Sequence, residues 1–236
     1  MIARAFTLAG GLLFAASIGY FLWFYLFGLA RRPPDPGFAV PLTFNGALFT
    51  LFALHHSVFA RTRVRSWMAR NVSPRLERAI YVWIASLAFL AVCVLWLAAG
   101  EPLWQAEGTG RAALRALQLI GVAFTLWAAR ALDALSLAGI RQLDAPLPSS
   151  GVEAASASLQ NTGPYGVVRH PIYLGWLLIV WPAPTMTPSH LLFAGISTVY
   201  LVIATIYEER SLHQTFGAAY AEYAQQVRSR FIPGVY

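Results

Sequence analysis

Apolar stretches long enough to cross a lipid bilayer recur along this chain, and they constrain its fold more than any other feature. A helix needs about 20 consecutive apolar residues to cross the hydrocarbon core. Hydrophobic residues make up 58% of the 236 residues and charged residues only 11%, unlike the balance of soluble domains. The sequence therefore predicts an all-α, polytopic membrane bundle of about six spans, at residues 5–29, 41–60, 79–99, 112–137, 171–187 and 190–207.

The positive charge of the chain lies mostly beside these apolar stretches. All 17 basic residues are arginine, and the formal net charge is +7. Residues 61–78 hold six arginines and one glutamate, with apolar residues at helical spacing, which predicts an interfacial amphipathic segment on the cytoplasmic side. Arginines beside spans act as topology signals, so we exclude nucleic-acid binding. We expect the protein to lie in a bacterial inner membrane, with both termini and its functional site on the cytoplasmic side.

The second predicted span carries polar residues that a membrane helix has to pair. Asn45, His55, His56 and Ser57 interrupt its apolar sequence. Polar groups within a membrane face the bundle interior and find partners there. Adjacent histidines point about 100° apart on a helix, so at most one of the two faces a site. A helix-to-helix hydrogen bond and a catalytic role both stay open for His56.

The strongest candidate for a functional site is the run of residues that leads into the fifth span. It combines helix-breaking glycines and prolines with a cation, an imidazole and phenols, namely Gly163, Tyr165, Arg169, His170, Pro171, Tyr173 and Gly175. Pro171 can open a helix at its first position and leave neighbouring N–H groups for an anion. Gly175 would let a ligand approach that helix closely.

An acidic pair, Glu208 and Glu209, follows the next apolar hairpin. Because the fifth and sixth spans are similar in length, the pair returns to the membrane face of Arg169 and His170. Arginine suits an anionic group of a ligand, and carboxylates suit an ammonium, a sulfonium or a ribose diol. For each residue taken alone, the alternative to a binding role is structural: Arg169, Glu208 and Glu209 as ordinary membrane-interface charges, and His170 as a structural histidine. Their joint spacing favours a binding site.

The remaining segments predict a loop and a surface helix. Residues 145–162, rich in proline, serine and alanine, indicate a flexible cytoplasmic loop. A helical stripe then predicts a C-terminal amphipathic helix on the site or the membrane interface, through Leu212, Phe216, Tyr220, Tyr223 and Val227. We expect one membrane domain, with a scaffold at 1–144, the loop at 145–162 and a cofactor-binding half at 163–236. The single Cys93 lies in an apolar run, so no disulfide or metal site is predicted.

The signature resembles that of the integral membrane methyltransferases related to isoprenylcysteine carboxyl methyltransferase and the phospholipid methyltransferases. The matching text is Gly163-Pro-Tyr-x-x-x-Arg-His-Pro-x-Tyr-x-Gly175, followed by Glu208-Glu209. Residues 181–194, the stretch 208–212 and the pair His56-Ser57 most resemble the methanethiol S-methyltransferase branch. Ser136 departs from that branch, whose pattern leads us to expect an aspartate.

The resemblance implies that S-adenosylmethionine binds on the cytoplasmic side and that an acceptor arrives from or near the membrane. Arg169 would meet the donor carboxylate or a nearby acceptor, with His170 and Tyr173 fixing the donor. Glu208 and Glu209 would hold its ribose hydroxyls or its ammonium. For a thiol acceptor the base would be His56 or Tyr165, and these two with Arg169 form the predicted catalytic set.

Methyl transfer to a small or lipophilic thiol, with methanethiol leading, is the function that this resemblance favours. A prenylcysteine carboxylate or a phospholipid amine is the alternative acceptor. An NADPH-dependent sterol or enone reductase on a similar scaffold would need a basic clamp for the 2′-phosphate. A non-catalytic membrane assembly factor is a further alternative, but such a protein would not need the intact acidic pair. The oligomeric state stays open.

Overall fold

The computed structural model describes residues 2–31, 37–59, 74–132, 140 and 159–236. These residues are mostly helical, which confirms the all-α prediction. The helices are α1 (Ile2–Trp23), α2 (Ala39–Phe59), α3 (Pro74–Leu95), α4 (Gly108–Ala131), α5 (Pro171–Val180), α6 (Pro188–Phe216) and α7 (Ala218–Gln226). Two short strands, β1 (Trp104–Gln105) and β2 (Thr185–Met186), pair antiparallel, with Trp104 opposite Met186.

Among the described residues, four helical stretches are long and apolar enough to cross a membrane, in agreement with an integral membrane protein. They are Ile2–Arg31, Leu76–Leu95, Gly108–Ala131 and Pro188–Phe216. Helix α2 has 21 residues but is not one of the four. Helix α5 has 10 residues, which is about 15 Å and half of the hydrocarbon core. The number of six spans is therefore not confirmed.

The chain forms two compact units. The first comprises Met1–Glu101, Ala134–Glu153 and Thr187–Ser189, and the second comprises Pro102–Asp133, Ala154–Met186 and His190–Tyr236. The second unit thus contains α4, α5, the strand pair, α7 and nearly all of α6. It also contains the whole predicted signature and the acidic pair.

Two polar residues of α2, Asn45 and His56, find partners on neighbouring segments, as expected of polar groups in a membrane setting. The side chain of Asn45 is fully buried and makes two hydrogen bonds with the backbone of Leu97, from Nδ2 to the carbonyl oxygen and from the amide to Oδ1, each 2.8 Å long. The hydroxyl of Tyr81 on α3 lies 2.9 Å from Nδ1 of His56 on α2. A helix-to-helix hydrogen bond of His56 is therefore confirmed.

In the second unit, α4 and α5 cross at two glycines. A Cβ atom on Gly121 would lie 2.8 Å from the carbonyl oxygen of Gly175, and one on Gly175 would overlap the Thr125 hydroxyl. Such close contact needs residues without side chains. The short α5 is also bonded at its far end, where Nε2 of the buried Gln118 donates to the Ile179 carbonyl over 2.8 Å.

Several sequence predictions fall outside the described residues. They concern most of the arginine-rich segment at 61–78, the departure at Ser136, and nearly all of the loop at 145–162. The division into a scaffold, a loop and a cofactor-binding half stays a prediction.

Candidate active site

A cavity of about 440 Å³ lies within the second unit. Its volume is in the range of small-molecule binding sites. Most of its lining comes from the signature, the end of α6 and α7. The lining residues, among the described ones, are Leu132, Leu159, Gln160, Tyr165, Arg169, His170, Ile172, Tyr173, Glu208, Ser211, Leu212, Phe216, Tyr220 and Tyr223.

The first part of the signature forms a 3₁₀ turn, Gly163–Gly166, which brings Tyr165 to the cavity. Gly163 has φ = 61°, a left-handed conformation that favours glycine. The carbonyl oxygen of Tyr165 accepts a hydrogen bond of 2.7 Å from the hydroxyl of Tyr223 on α7. This bond ties α7 to the turn.

Pro171 begins α5, as predicted, but the nearby amides have partners in the chain. The amides of Arg169 and His170 donate to the carbonyls of Ser229 and Arg230, over 3.0 and 2.7 Å. Tyr173, in the first turn of α5, donates its amide to the His170 carbonyl over 3.0 Å. These amides therefore serve the fold, and the prediction that they stay free to meet an anion is wrong for them.

Glu209 is the centre of a buried charge network. Nη2 and Nε of Arg169 lie 2.6 and 2.8 Å from its Oε1, and Nε of Arg230 lies 3.1 Å from its Oε2. Nη1 of Arg169 also donates to the carbonyls of Val227 and Arg228. The network thus joins the signature to the segment that follows α7.

Glu208, the preceding residue, has a different environment. Its side chain is 50% exposed, against 12% for Glu209, and it lines the cavity. The Tyr173 hydroxyl donates to Oε1 of Glu208, and Nδ1 of His170 lies 3.3 Å from Oε2. Because a carboxylate has about four lone-pair positions, both oxygens can accept further bonds from a ligand.

His170 lies between the two carboxylates. Its Nδ1 faces Glu208, and its Nε2 lies 3.4 Å from Oε1 of Glu209. Burial alone would lower the pKa of His170, but hydrogen bonding to both carboxylates outweighs burial and raises this pKa above its ordinary value. Only the protonated ring can donate from both nitrogens, so the geometry suits an imidazolium.

Three tyrosines of the cavity are held in the protonated form. Burial, and then the neighbouring Tyr223 and Glu208, raise the pKa of Tyr165. Burial is also the main reason why the pKa values of Tyr220 and Tyr223 rise to about 12. The hydroxyl of Tyr220 is buried beside Arg169 and Glu209, and both side chains interact with it. At neutral pH all three are phenols that can donate.

The structure brings five of the predicted site residues together at the cavity, and these are Tyr165, Arg169, His170, Tyr173 and Glu208. Glu209 pairs with Arg169 and His170 of this lining, and Pro171 and Gly163 set the backbone conformation of the signature. The prediction that Gly175 admits a ligand is wrong, because its open face is filled by Thr125 and Gly121 of α4. His56 belongs to the first unit, and its catalytic role stays a prediction.

Two kinds of residue at the site were missed from the sequence. Arg230 was not distinguished from the other arginines, although it is the second cation on Glu209. Tyr220 and Tyr223 were noted only as members of an amphipathic stripe. That stripe spans two helices, because Gly217 with φ = 53° separates α6 from α7. Its tyrosine side lines the cavity, which could have been suspected from two phenols at helical spacing.

Comparison with known sequences gives consistent matches over most of the chain. A profile of the phospholipid methyltransferase family matches residues 116–219. Methanethiol S-methyltransferase 1 of Bradyrhizobium diazoefficiens is 34% identical, over 98% of this chain and 82% of its own length. Methanethiol S-methyltransferase of Mycobacterium tuberculosis is also 34% identical, over 93% of this chain and 91% of its own length.

A more distant similarity connects the chain to an animal protein. Nurim of Sus scrofa is 28% identical over 75% of this chain and 70% of its own length. No solved structure matches the chain.

Proposed function

Because the chain belongs to the phospholipid methyltransferase family, among the methanethiol S-methyltransferases, we propose that it transfers a methyl group from S-adenosylmethionine to a small thiol. Methanethiol is the leading acceptor, and dimethyl sulfide is then the product. The observation that carries the proposal is the cavity lined by Arg169, His170, Tyr173 and Glu208 in a chain with such relatives.

The chemistry of the lining residues fits S-adenosylmethionine. Glu208 offers a half-exposed carboxylate for an ammonium or a ribose diol, and Arg169 offers a cation for a carboxylate. The rings of Tyr165 and Tyr173 offer flat surfaces on which the adenine ring of the donor can stack. Apolar side chains complete the lining, and these are Leu132, Leu159, Ile172, Leu212 and Phe216.

When bound, S-adenosylmethionine supplies a methyl group on a sulfonium, which is already a good leaving group. The chain therefore has to align the acceptor sulfur with that methyl group and to exclude water. The acceptor thiol would give its proton to a base or to water, its sulfur would take the methyl group, and the donor would leave as neutral S-adenosylhomocysteine. Because the thiolate is the reactive form, a positive field at the cavity promotes the reaction.

The catalytic set predicted from sequence takes more specific roles in this proposal. Arg169, together with the raised-pKa His170, would contribute positive charge at the cavity wall, and Arg169 would bind an anionic group of the donor. Tyr165 acts as a hydrogen-bond donor, since its raised pKa keeps it protonated. His56 is then the remaining candidate for a base, and a pH–rate profile of a His56→Gln variant would test that role. A Gly163→Ala variant would test whether the turn needs its left-handed residue.

We further propose that the chain crosses the membrane six times, with both termini and the cavity on the cytoplasmic side of a bacterial inner membrane. Helix α2 and the segment that begins with α5 would be the additional spans, and the C-terminal helix α7 would lie at the interface. Reporter fusions after residues 105 and 236 test this topology. The first fusion should report from the periplasm and the second from the cytoplasm.

The decisive experiment for the activity uses the protein purified in detergent with S-adenosylmethionine and methanethiol. We expect dimethyl sulfide in the headspace and an equal amount of S-adenosylhomocysteine. Glu208→Gln should lose most of this activity, whereas Glu222→Gln, an exposed change on α7, should keep it. Methyl transfer to a lipid amine or a prenylcysteine without dimethyl sulfide would reassign the acceptor. Binding of NADPH in place of the donor would instead identify a reductase.

A further inference from the structure

Two groups of apolar side chains line the cavity from different helices of the second unit. One group lies on α6, where Leu212 and Phe216 follow Glu208 by about one and two helical turns. The other group lies at the ends of two other helices, with Leu132 directly after α4 and Ile172 in the first turn of α5. All four apolar side chains are only partly buried, so each keeps surface that a ligand can cover.

The packing of α4 against α5 explains why the second group forms one wall. Gln118 of α4 donates to the Ile179 carbonyl of α5, and Thr125, further along α4, packs against Gly175, nearer the start of α5. Residue numbers rise along α4 while they fall along α5, so the two helices are antiparallel. The end of α4 and the beginning of α5 therefore lie at the same end of the pair.

The signature turn and the charged side of the cavity border this wall. A Cβ atom on Gly163 would lie 3.7 Å from the ring of Trp127, so the turn packs near the end of α4. Ile172 is followed along α5 by Tyr173, whose hydroxyl donates to Glu208. A small molecule on this wall would lie next to a donor that is held by Glu208.

The two apolar groups suit different ligands. Leu212 and Phe216 lie on the stretch of α6 that leads from Glu208 to the tyrosines of α7, so a large ligand with polar and aromatic parts can cover them. Leu132 and Ile172 have branched hydrocarbon side chains, which offer dispersion contacts and no hydrogen bond. The second group therefore matches a short alkyl group.

We propose that Leu132 and Ile172 form the acceptor subsite, which holds the alkyl group of the thiol and selects short alkanethiols by size. This inference rests on the proposed function, because it takes a thiol as the acceptor. One methylene more or less in an apolar pocket changes kcat/KM about 10- to 200-fold, so the size of these two side chains would determine which thiol reacts.

A competition between two thiols tests the subsite on the protein purified in detergent. The enzyme receives S-adenosylmethionine with equal concentrations of methanethiol and 1-propanethiol, and headspace chromatography gives the ratio of methyl propyl sulfide to dimethyl sulfide. This ratio reports relative kcat/KM and does not depend on how much of a variant is folded. Leu132→Ala and Ile172→Ala should each raise it about 10-fold or more, and Leu132→Phe should lower it.

Leu212→Ala is the matched control, because it makes the same kind of change in the apolar group on α6. This variant should raise the KM for S-adenosylmethionine and leave the product ratio within about twofold of the wild type. Leu132→Ala should instead leave the donor KM within about twofold. An unchanged ratio in both Leu132→Ala and Ile172→Ala, or an equal rise in Leu212→Ala, would overturn the inference.

The wild-type protein separates failure of this inference from failure of the proposed function. If it makes both sulfides and the alanine variants at the wall keep its product ratio, only the acceptor subsite is wrong. If it makes neither sulfide, the proposed function fails and the subsite fails with it.

Discussion

Two neighbouring carboxylates on α6 show how differently one short motif can be used. The region around Glu209 is closed, with Arg169, Arg230 and His170 around a side chain that is 12% exposed. The region around Glu208 is open to the cavity, and half of its side chain is exposed. Successive residues of a helix point about 100° apart, so the pair faces two directions. An acidic pair that looks like one unit in sequence therefore has one member in the ion pairs of the fold and the other open to the cavity, where we propose that the ligand binds.

The closed region explains how the cavity keeps its shape. Arg169 bonds to Glu209 and to the carbonyls of Val227 and Arg228, so one guanidinium connects α6, the signature and the segment after α7. Removing one member of a buried ion pair leaves an unpaired charge, which is far more costly than losing a surface contact.

The largest effect is expected for the stability of Glu209→Gln. The neutral amide would leave Arg169 and Arg230 without their shared anion, and breaking a buried pair costs about 3–5 kcal/mol of unfolding free energy. Chemical unfolding in detergent measures this loss. The matched change Glu208→Gln should cost about 1 kcal/mol or less, because that side chain is half exposed. Equal losses in the two variants would contradict the division between them.

The second prediction concerns donor binding by the variant with the smaller stability loss. Glu208→Gln keeps the shape of the side chain and removes its charge, so a charge-assisted contact worth about 1.5–3 kcal/mol is lost. Affinity for S-adenosylmethionine should fall roughly 10- to 100-fold in calorimetry. Glu222→Gln should bind as the wild type does. A Glu208→Gln variant with wild-type affinity would show that the open carboxylate does not hold the donor.

The sequence predicted the helices and most of the open region, because both depend on local patterns. Apolar runs define α1, α3, α4 and α6, and the hairpin formed by α5 and α6 returns Glu208 to Tyr173 and His170. The identity of each residue in this group already suggests its chemistry.

The closed region could not be predicted in the same way. Arg230 is one of 17 arginines in a chain without lysine, so the sequence does not indicate that this particular arginine pairs with Glu209. Gly175 looked suited to a ligand because a glycine gives the same signal whether a helix or a small molecule fills its open face. Only the packing of α4 decides between the two. Likewise, the buried state of Tyr220 depends on where α7 lies after Gly217.

The third prediction uses pH, because His170 bridges the two regions. The pKa of His170 is raised above its ordinary value of 6.5. A group with a raised folded-state pKa stabilises the fold fully below its ordinary pKa, and this contribution is lost as the pH rises through the folded-state pKa. Thermal unfolding should therefore show the wild type losing stability from about pH 6.5 upward. The His170→Gln variant should lack that decline. A parallel decline in both proteins would show that the protonated His170 does not stabilise the fold through Glu208 and Glu209.

The smallest effect is expected at the rim of the closed region, from Arg230→Gln. Arg169 still neutralises Glu209 in this variant, and the Arg230 side chain is 35% exposed, so the loss should be about 1 kcal/mol or less. Arg228→Gln is the matched control, because that side chain is exposed, and it should change stability by less.

A double-mutant cycle then tests whether Arg230 acts through Glu209. In the Glu209→Gln background Arg230 no longer faces an anion, so replacing it should cost nothing or even relieve repulsion from Arg169. If Arg230→Gln costs as much in that background as in the wild type, the arginine stabilises the fold by another contact, such as its position 4.7 Å from the centre of the Tyr236 ring. The closed region would then consist of the Glu209 pair with Arg169 and His170, and Arg230 would belong to the packing of the last residues.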